Sequence, residues 1–148
     1  PFEAFKTKDS YIIIAAGNDK LFAKLCEVLK IPETTNDKRF NSNSLRCENM
    51  DQLKEIFEKQ LNSKTTNDWV KEMEALKIPC GPIFNIKQAV ENPQIQERNM
   101  IVKSYHKIIG EFKSAGNPIK MSTYKDENTR GDIPDLDEHR EKIIKEFS

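Results

Sequence analysis

Ser10-Tyr11-Ile12-Ile13-Ile14-Ala15-Ala16-Gly17-Asn18-Asp19-Lys20-Leu21-Phe22 decides how this chain is read. Ser10 to Ala16 is a β-branched and aromatic run closed by Gly17, the pattern of a strand. Because its apolar residues do not alternate with polar ones, the run predicts a strand covered on both faces. Past Gly17 the period changes. Leu21, Phe22, Leu25, Val28 and Leu29 fall on one stripe of a helix, which Asn18 or Asp19 can cap and Pro32 ends. A strand that becomes a helix at a glycine puts the helix's free N–H groups at the strand end, a position suited to an anion or carboxylate. A phosphate cradle uses more glycines than this one. A plain capped turn and a pocket-lining turn are therefore both open at Gly17-Asn18-Asp19.

Downstream, a polar loop from Glu33 to Ser44 holds Asn36-Asp37 and Asn41-Ser42-Asn43. A long helix is predicted over Ser44 to Leu61, with Leu45, Leu53, Ile56, Phe57 and Leu61 inward. Thr65 with Asp68 resembles a capping box and opens a helix to about Lys77 that buries Trp69, Val70, Met73 and Leu76. Pro79 and Gly81-Pro82 predict a tight turn. Asn85 caps a short helix through Glu91, and Pro93 starts another turn at its first helical position. Two short strands, Met100 to His106 and Gly110 to Ser114, follow, and Gly116-Asn117-Pro118 breaks the second. Tyr124 to Asp137 reads as an extended arm, and Glu138 to Phe147 as an amphipathic helix with Ile143, Ile144 and Phe147 on one side. No internal repeat is present. The expected fold class is α+β: a small antiparallel sheet with several helices, followed by an extended C-terminal arm ending in a helix. The expected domain covers residues 1–115 and the arm residues 116–148.

The chain has 148 residues, 24 basic and 24 acidic, for a net charge of +0. That length suits one domain, or one domain with an arm. Hydrophobic residues at 36% and charged residues at 32% allow a lean core. No apolar run approaches the ~20 residues of a membrane span, so no membrane partner is expected. With 19 Lys against 5 Arg and no net charge, nucleic-acid binding is not expected either. Cys26, Cys47 and Cys80 are an odd number at wide spacings, which implies reduced thiols in the cytoplasm or mitochondrial matrix rather than a disulfide framework. No signal-peptide pattern precedes the fold, and the start at Pro1-Phe2-Glu3 reads as that of a processed or excised piece.

Candidate chemistry is sparse. His106 and His139 have no Cys or carboxylate at a ligand spacing, so no metal is expected. Cys80 sits in Ile78-Pro79-Cys80-Gly81-Pro82, with no nearby His or helix start to activate it, and packing is the favoured role. Lys103, Lys107, Lys113, Lys120 and Lys125 oppose only Glu111 between residues 100 and 125, and an acidic arm follows. That patch suits a nucleotide-like ligand's phosphates or an ordinary solvated face. The Trp69 helix is core or a docking face.

Pro1-Phe2-Glu3-Ala4-Phe5-Lys6-Thr7-Lys8-Asp9, followed by Ile14-Ala15-Ala16-Gly17-Asn18-Asp19-Lys20-Leu21-Phe22, closely resembles the class III CoA-transferase family, also called CaiB/BaiF. The likeness runs through Asp37-Lys38-Arg39-Phe40-Asn41-Ser42-Asn43-Ser44-Leu45-Arg46, Trp69 and Ile78-Pro79-Cys80-Gly81-Pro82-Ile83. It continues in Asn92-Pro93-Gln94, Gly116-Asn117-Pro118-Ile119-Lys120-Met121-Ser122 and Leu136-Asp137-Glu138-His139, collinear over nearly the whole chain. The family's arm usually carries Leu-Gly-x-His-Thr, and the change to Leu136-Asp137-Glu138-His139-Arg140 predicts a reshaped turn. Tyr105-His106-Lys107 lacks the proline common after the histidine.

The resemblance implies an enzyme that moves CoA between carboxylic acids, through an anhydride and a CoA thioester on an aspartate. CoA enters as the acyl-CoA substrate, and no metal takes part. It implies a large Rossmann-like domain, a small α+β domain and an interlocked homodimer. The family's catalytic aspartate lies in an N-terminal half that these residues do not match, so no residue here is expected to be catalytic, no cofactor-binding residue is assigned, and the piece alone is expected to be inactive. By the same resemblance, Gly17, Asn18 and Asp19 line the acyl-substrate side of the cleft. Related racemases carry a glutamate near this turn, and Asn18 favours a transferase. Ala16-Gly17-Asn18-Asp19 resembles enzymes of succinate, glutarate or hydroxymethylglutarate more than the formyl and oxalate ones. The alternatives are a stand-alone, non-catalytic binding module and part of an α-methylacyl-CoA racemase-like enzyme.

Overall fold

In the computed structural model, which describes Pro1–Ser148, β1 (Phe2–Lys6) and β2 (Tyr11–Ala15) form an antiparallel hairpin. Opposite each other stand Phe5 and Ile12. Both are fully buried, as is Ile14. Tyr11 and Ile13, pointing the other way, stay 47% and 40% exposed. The expectation of a strand covered on both faces is thus corrected: within this chain one face is packed and the other is open. β3 (Cys80–Pro82) completes the sheet, antiparallel to β2, in the order β1-β2-β3. In place of the tight turn expected at Pro79 and Gly81-Pro82, Cys80–Pro82 forms an edge strand, where a proline's missing N–H costs no ladder bond.

Five helical segments lie between β2 and β3. They are α1 (Asp19–Val28), a 3-10 turn (Pro32–Asn36), α2 (Asn43–Glu48), α3 (Met50–Leu61) and α4 (Thr66–Ala75). They bury Phe22, Leu25, Leu29, Leu53, Phe57, Leu61, Trp69 and Met73 against Phe5, Ile12 and Ile14 of the sheet. Each such side chain, fully buried, contributes about 1.5–3 kcal/mol. Phe57 is the hub, with its ring centroid 5.6 Å from that of Phe5 and 6.1 Å from that of Phe22. Trp69 is core, its indole N–H donating to the Leu61 carbonyl at 2.7 Å.

The continuous helix expected from Ser44 to Leu61 is broken at Asn49, whose φ of −107° and ψ of 28° leave the helical region. The Asn49 amide donates to the carbonyl of Leu45 at 2.9 Å and of Arg39 at 3.3 Å. This competition with the backbone is what disfavours Asn inside helices. Leu76, expected to be inward, is 47% exposed because α4 stops before it.

Residues Pro1–Ile83 form one compact unit and Phe84–Ser148 a second. In the second, α5 (Ile86–Glu91) opens with a full capping box between Asn85 and Gln88, and α6 (Pro93–Glu97) with Asn92. β4 (Ile101–His106) pairs antiparallel with β5 (Gly110–Ala115) and parallel with β6 (Thr129–Asp132), in the order β5-β4-β6. Within the extended stretch expected over Tyr124 to Asp137, Thr129–Asp132 thus pairs as a strand. The unit's last element is α7 (Arg140–Phe147). The only fully buried large hydrophobic residue in this unit is Val102. The whole is an α+β fold, as expected. No helix is long and apolar enough to cross a membrane.

Candidate functional site

Gly17, Asn18 and Asp19 stand where β2 runs into α1, and all three are exposed. Asn18 is the N-cap of α1: its Oδ1 accepts from the Leu21 N–H at 2.8 Å. Of the two caps open on sequence, Asn18 takes the position. Its side-chain NH2 makes no hydrogen bond within the chain and is the group left free to meet a ligand. At Gly17 a Cβ would meet no atom within 4 Å, and the backbone there does not adopt a left-handed conformation. Neither φ nor crowding within this chain demands a glycine.

What holds the turn is Arg46 of α2, 1% exposed. Its Nη2 donates to the Gly17 carbonyl at 3.1 Å and to Asp19 Oδ1 at 2.6 Å, and its Nη1 donates to the Phe40 carbonyl at 2.9 Å. The guanidinium lies over the Phe22 ring, 4.4 Å from its centroid. Nε is buried without a partner. Burying an arginine is tolerated only when its charge is paired and its donors are used, and the partners here come from the strand-to-helix turn (Gly17, Asp19), the first turn of α1 (Phe22) and the loop before α2 (Phe40). Arg46, which holds this turn, does not stand out in the sequence as a partner of Gly17 and Asp19. Its partners lie 27 and 29 positions away, and no periodicity marks a contact of that span.

The other candidates disperse. Cys80 is half-buried and burial pushes its thiol pKa up, away from nucleophilic reactivity. Cys26 is fully buried, with its pKa pushed up to about 11, chiefly by burial. Cys47 is exposed, and all three thiols are free. His106 Nδ1 accepts from the Ile108 N–H at 3.2 Å, and His139 precedes α7 without capping it. No group of three or more His, Cys, Asp or Glu side chains gathers in one place. The lysine-rich stretch is largely neutralised. Lys103 pairs with Glu111 at 3.1 Å, Lys107 with Asp135, Lys120 with Asp126 and Lys125 with Glu127 at 2.8 Å. Only Lys113 of the five lacks an acidic partner, so the patch does not read as a phosphate site. An open cleft of about 310 Å³ in the second unit, lined by Tyr124, Lys125, Asp126 and Arg130 among others, does not include the Gly17–Asp19 turn.

Residues 1–140 of the chain match the family model described as CoA-transferase family III. The chain belongs to that family. It is 37% identical over its whole length to the acetyl-CoA:oxalate CoA-transferase of Acetobacter aceti, covering 37% of that protein. It is 32% identical over 99% of its length to the succinyl-CoA:glutarate CoA-transferase of Homo sapiens, covering 33% of it. In structure it resembles a CaiB/BaiF family protein from Brucella suis, with a TM-score of 0.74 and 30% identity, covering 100% of this chain and 38% of that one. The chain thus spans about a third of the length of these relatives.

Proposed function

We propose that this chain is the small domain, residues 1–115, and the returning arm, residues 116–148, of a CoA-transferase that moves CoA from an acyl-CoA to a carboxylic acid. The observation that carries the reading is the collinear match to family III transferases across residues 1–140. The catalytic aspartate, which carries the anhydride and the CoA thioester in turn, then lies in a part of the protein outside these residues, and the piece alone is inactive. Gly17, Asn18 and Asp19 line the acyl side of the cleft. Two features support this placement: the empty space beside Gly17 and the free Asn18 amide, which can donate to a carboxylate. The two relatives are named for oxalate and glutarate, both dicarboxylates, and a dicarboxylate is the proposed acceptor class. The working form is a homodimer.

The test begins with the intact mass of the protein from its source. It then follows CoA transfer from succinyl-CoA or acetyl-CoA to glutarate or oxalate in that full-length protein. A mass well above 17.2 kDa together with acceptor-dependent transfer supports the enzyme. A mass of 17.2 kDa with no transfer makes a stand-alone binding module the better reading.

A further inference from the structure

We infer that Arg46 is a positioning residue that turns the Asn18 backbone N–H outward as a hydrogen-bond donor to the bound acyl or carboxylate oxygen. This rests on the proposed placement of the Gly17-Asn18-Asp19 turn at the acyl pocket.

A trans peptide is planar, and its C=O and N–H point in opposite directions. The Gly17 carbonyl is drawn toward the buried guanidinium, which donates to it at 3.1 Å. The N–H across the same peptide plane belongs to Asn18, and so it faces away from Arg46. It makes no hydrogen bond within the chain. Free rotation of this peptide would let the donor wander, and the second arm of the same Nη2, on Asp19 at 2.6 Å, fixes the far side of the turn. The open space beside Gly17 lets an oxygen approach. The Asn18 side-chain NH2 supplies a second donor on the residue that carries the N–H. Arg46 also offsets the Asp19 charge, which would otherwise repel a carboxylate at the start of α1. Two fixed donors, with the Asp19 charge held by Arg46, can bind the ground-state carboxylate of the acceptor.

The variants are Arg46→Met, Arg46→Lys and Gly17→Val, made in the full-length protein. Two quantities are read: amide hydrogen exchange at Leu21 and Phe22, whose N–H groups bond to Asn18 across the turn, and the kinetics of transfer from succinyl-CoA to glutarate. Arg46→Met is expected to speed exchange at this turn by about tenfold or more while the β1–β2 ladder stays protected. The glutarate KM should rise about tenfold, with kcat changing much less. Arg46→Lys, which keeps the charge and part of the hydrogen bonding, should recover a share of both effects. A merely structural arginine would loosen the whole unit evenly and leave KM alone once the variant is folded. A folded Arg46→Met with unchanged exchange at this turn overturns the inference. If Arg46→Met does not fold, Asp19→Ala, which removes the second anchor and keeps the arginine, must give faster local exchange in the same direction for the inference to stand. Gly17→Val separates the two ideas. If it leaves KM unchanged while Arg46→Met loosens the turn, the placement at the pocket fails and the clamp survives. If Gly17→Val raises KM while Arg46→Met leaves KM and exchange unchanged, the clamp fails and the placement survives.

Discussion

Arg46 and Asp19 form an ion pair with opposite surroundings: the guanidinium side chain is 1% exposed and the carboxylate side chain 76% exposed, across 2.6 Å. The two ends should therefore respond very differently to removal. Asp19→Ala takes from the buried guanidinium its one carboxylate, but water reaches the exposed side of the pair and makes up part of the loss, so the cost should be about 1–2 kcal/mol, below that of a fully buried pair. Arg46→Leu strands the carbonyls of Phe40 and Gly17 and removes the stacking on Phe22, and should cost about 2–4 kcal/mol. Urea unfolding of the two variants gives the comparison, and equal costs would contradict this account of the pair.

Acid titration should expose a second set of contacts. Hydrogen bonds from Lys120 and then Arg130 hold the Asp126 carboxyl down at about 2, and Arg39 does the same for Asp37. Both values lie below the ordinary carboxylate value, so each group stabilises the fold fully above about pH 4. That contribution is lost as the pH falls through about 2. Carboxyl carbon shifts followed by NMR should give midpoints near 2 for these two residues. Midpoints at the ordinary value would mean that the pairs are not held in solution.

Asp137 occupies the left-handed region at φ +69°, where the family's arm motif has glycine. Arg140 donates to both its carboxylate oxygens, at 2.7 and 2.8 Å. Asp is among the few side chains that tolerate this backbone, and the arginine steadies it. Asp137→Gly should therefore change stability by less than about 1 kcal/mol. Asp137→Val, β-branched at positive φ, should cost about 1–2 kcal/mol. Thermal melts of the two variants check the contrast.

The chain as it stands leaves large apolar side chains in water. Phe2, Tyr11 and Ile13 line the open face of the first sheet, and Leu136, Ile143, Ile144 and Phe147 stay exposed in the second unit. Such patches drive association, so sedimentation of the 148-residue chain should show dimers or larger species as concentration rises. The second unit, with Val102 as its one fully buried large hydrophobic residue, should also exchange its amides faster than the first. Clean monomers at all concentrations would count against this.

What could be read from the sequence was mostly local. Thr65 and Asn85 are caps that declare themselves by residue type and spacing, and the structure uses both; of the pair Asn18 and Asp19 it uses Asn18. The stripe of α1 and the burial of Trp69 followed from periodicity. Long-range matters were hidden. Whether Ile13 meets another layer depends on what lies across the sheet, and an apolar run looks the same either way. The break at Asn49 turns on a side chain choosing the carbonyls of Leu45 and Arg39 over solvent. Pairing of β6 with β4 joins a short polar segment to a strand more than twenty residues earlier, with no pattern of its own. For the candidate site, the turn was visible because strand, glycine and cap are contiguous; the arginine beneath it was not.

The strand order β5-β4-β6 also sets a timetable. β4 and β5 are separated only by Lys107, Ile108 and Ile109, so their hairpin can close within microseconds of the chain becoming free. The parallel partner must wait until the intervening chain from Gly116 to Asn128 has been brought round, a larger loop to close before any ladder bond is gained. The last strand to arrive is also the one that tethers α7. A chain caught early would carry a finished hairpin and a loose tail, and the apolar side of the tail's amphipathic helix would be free to find the wrong neighbour.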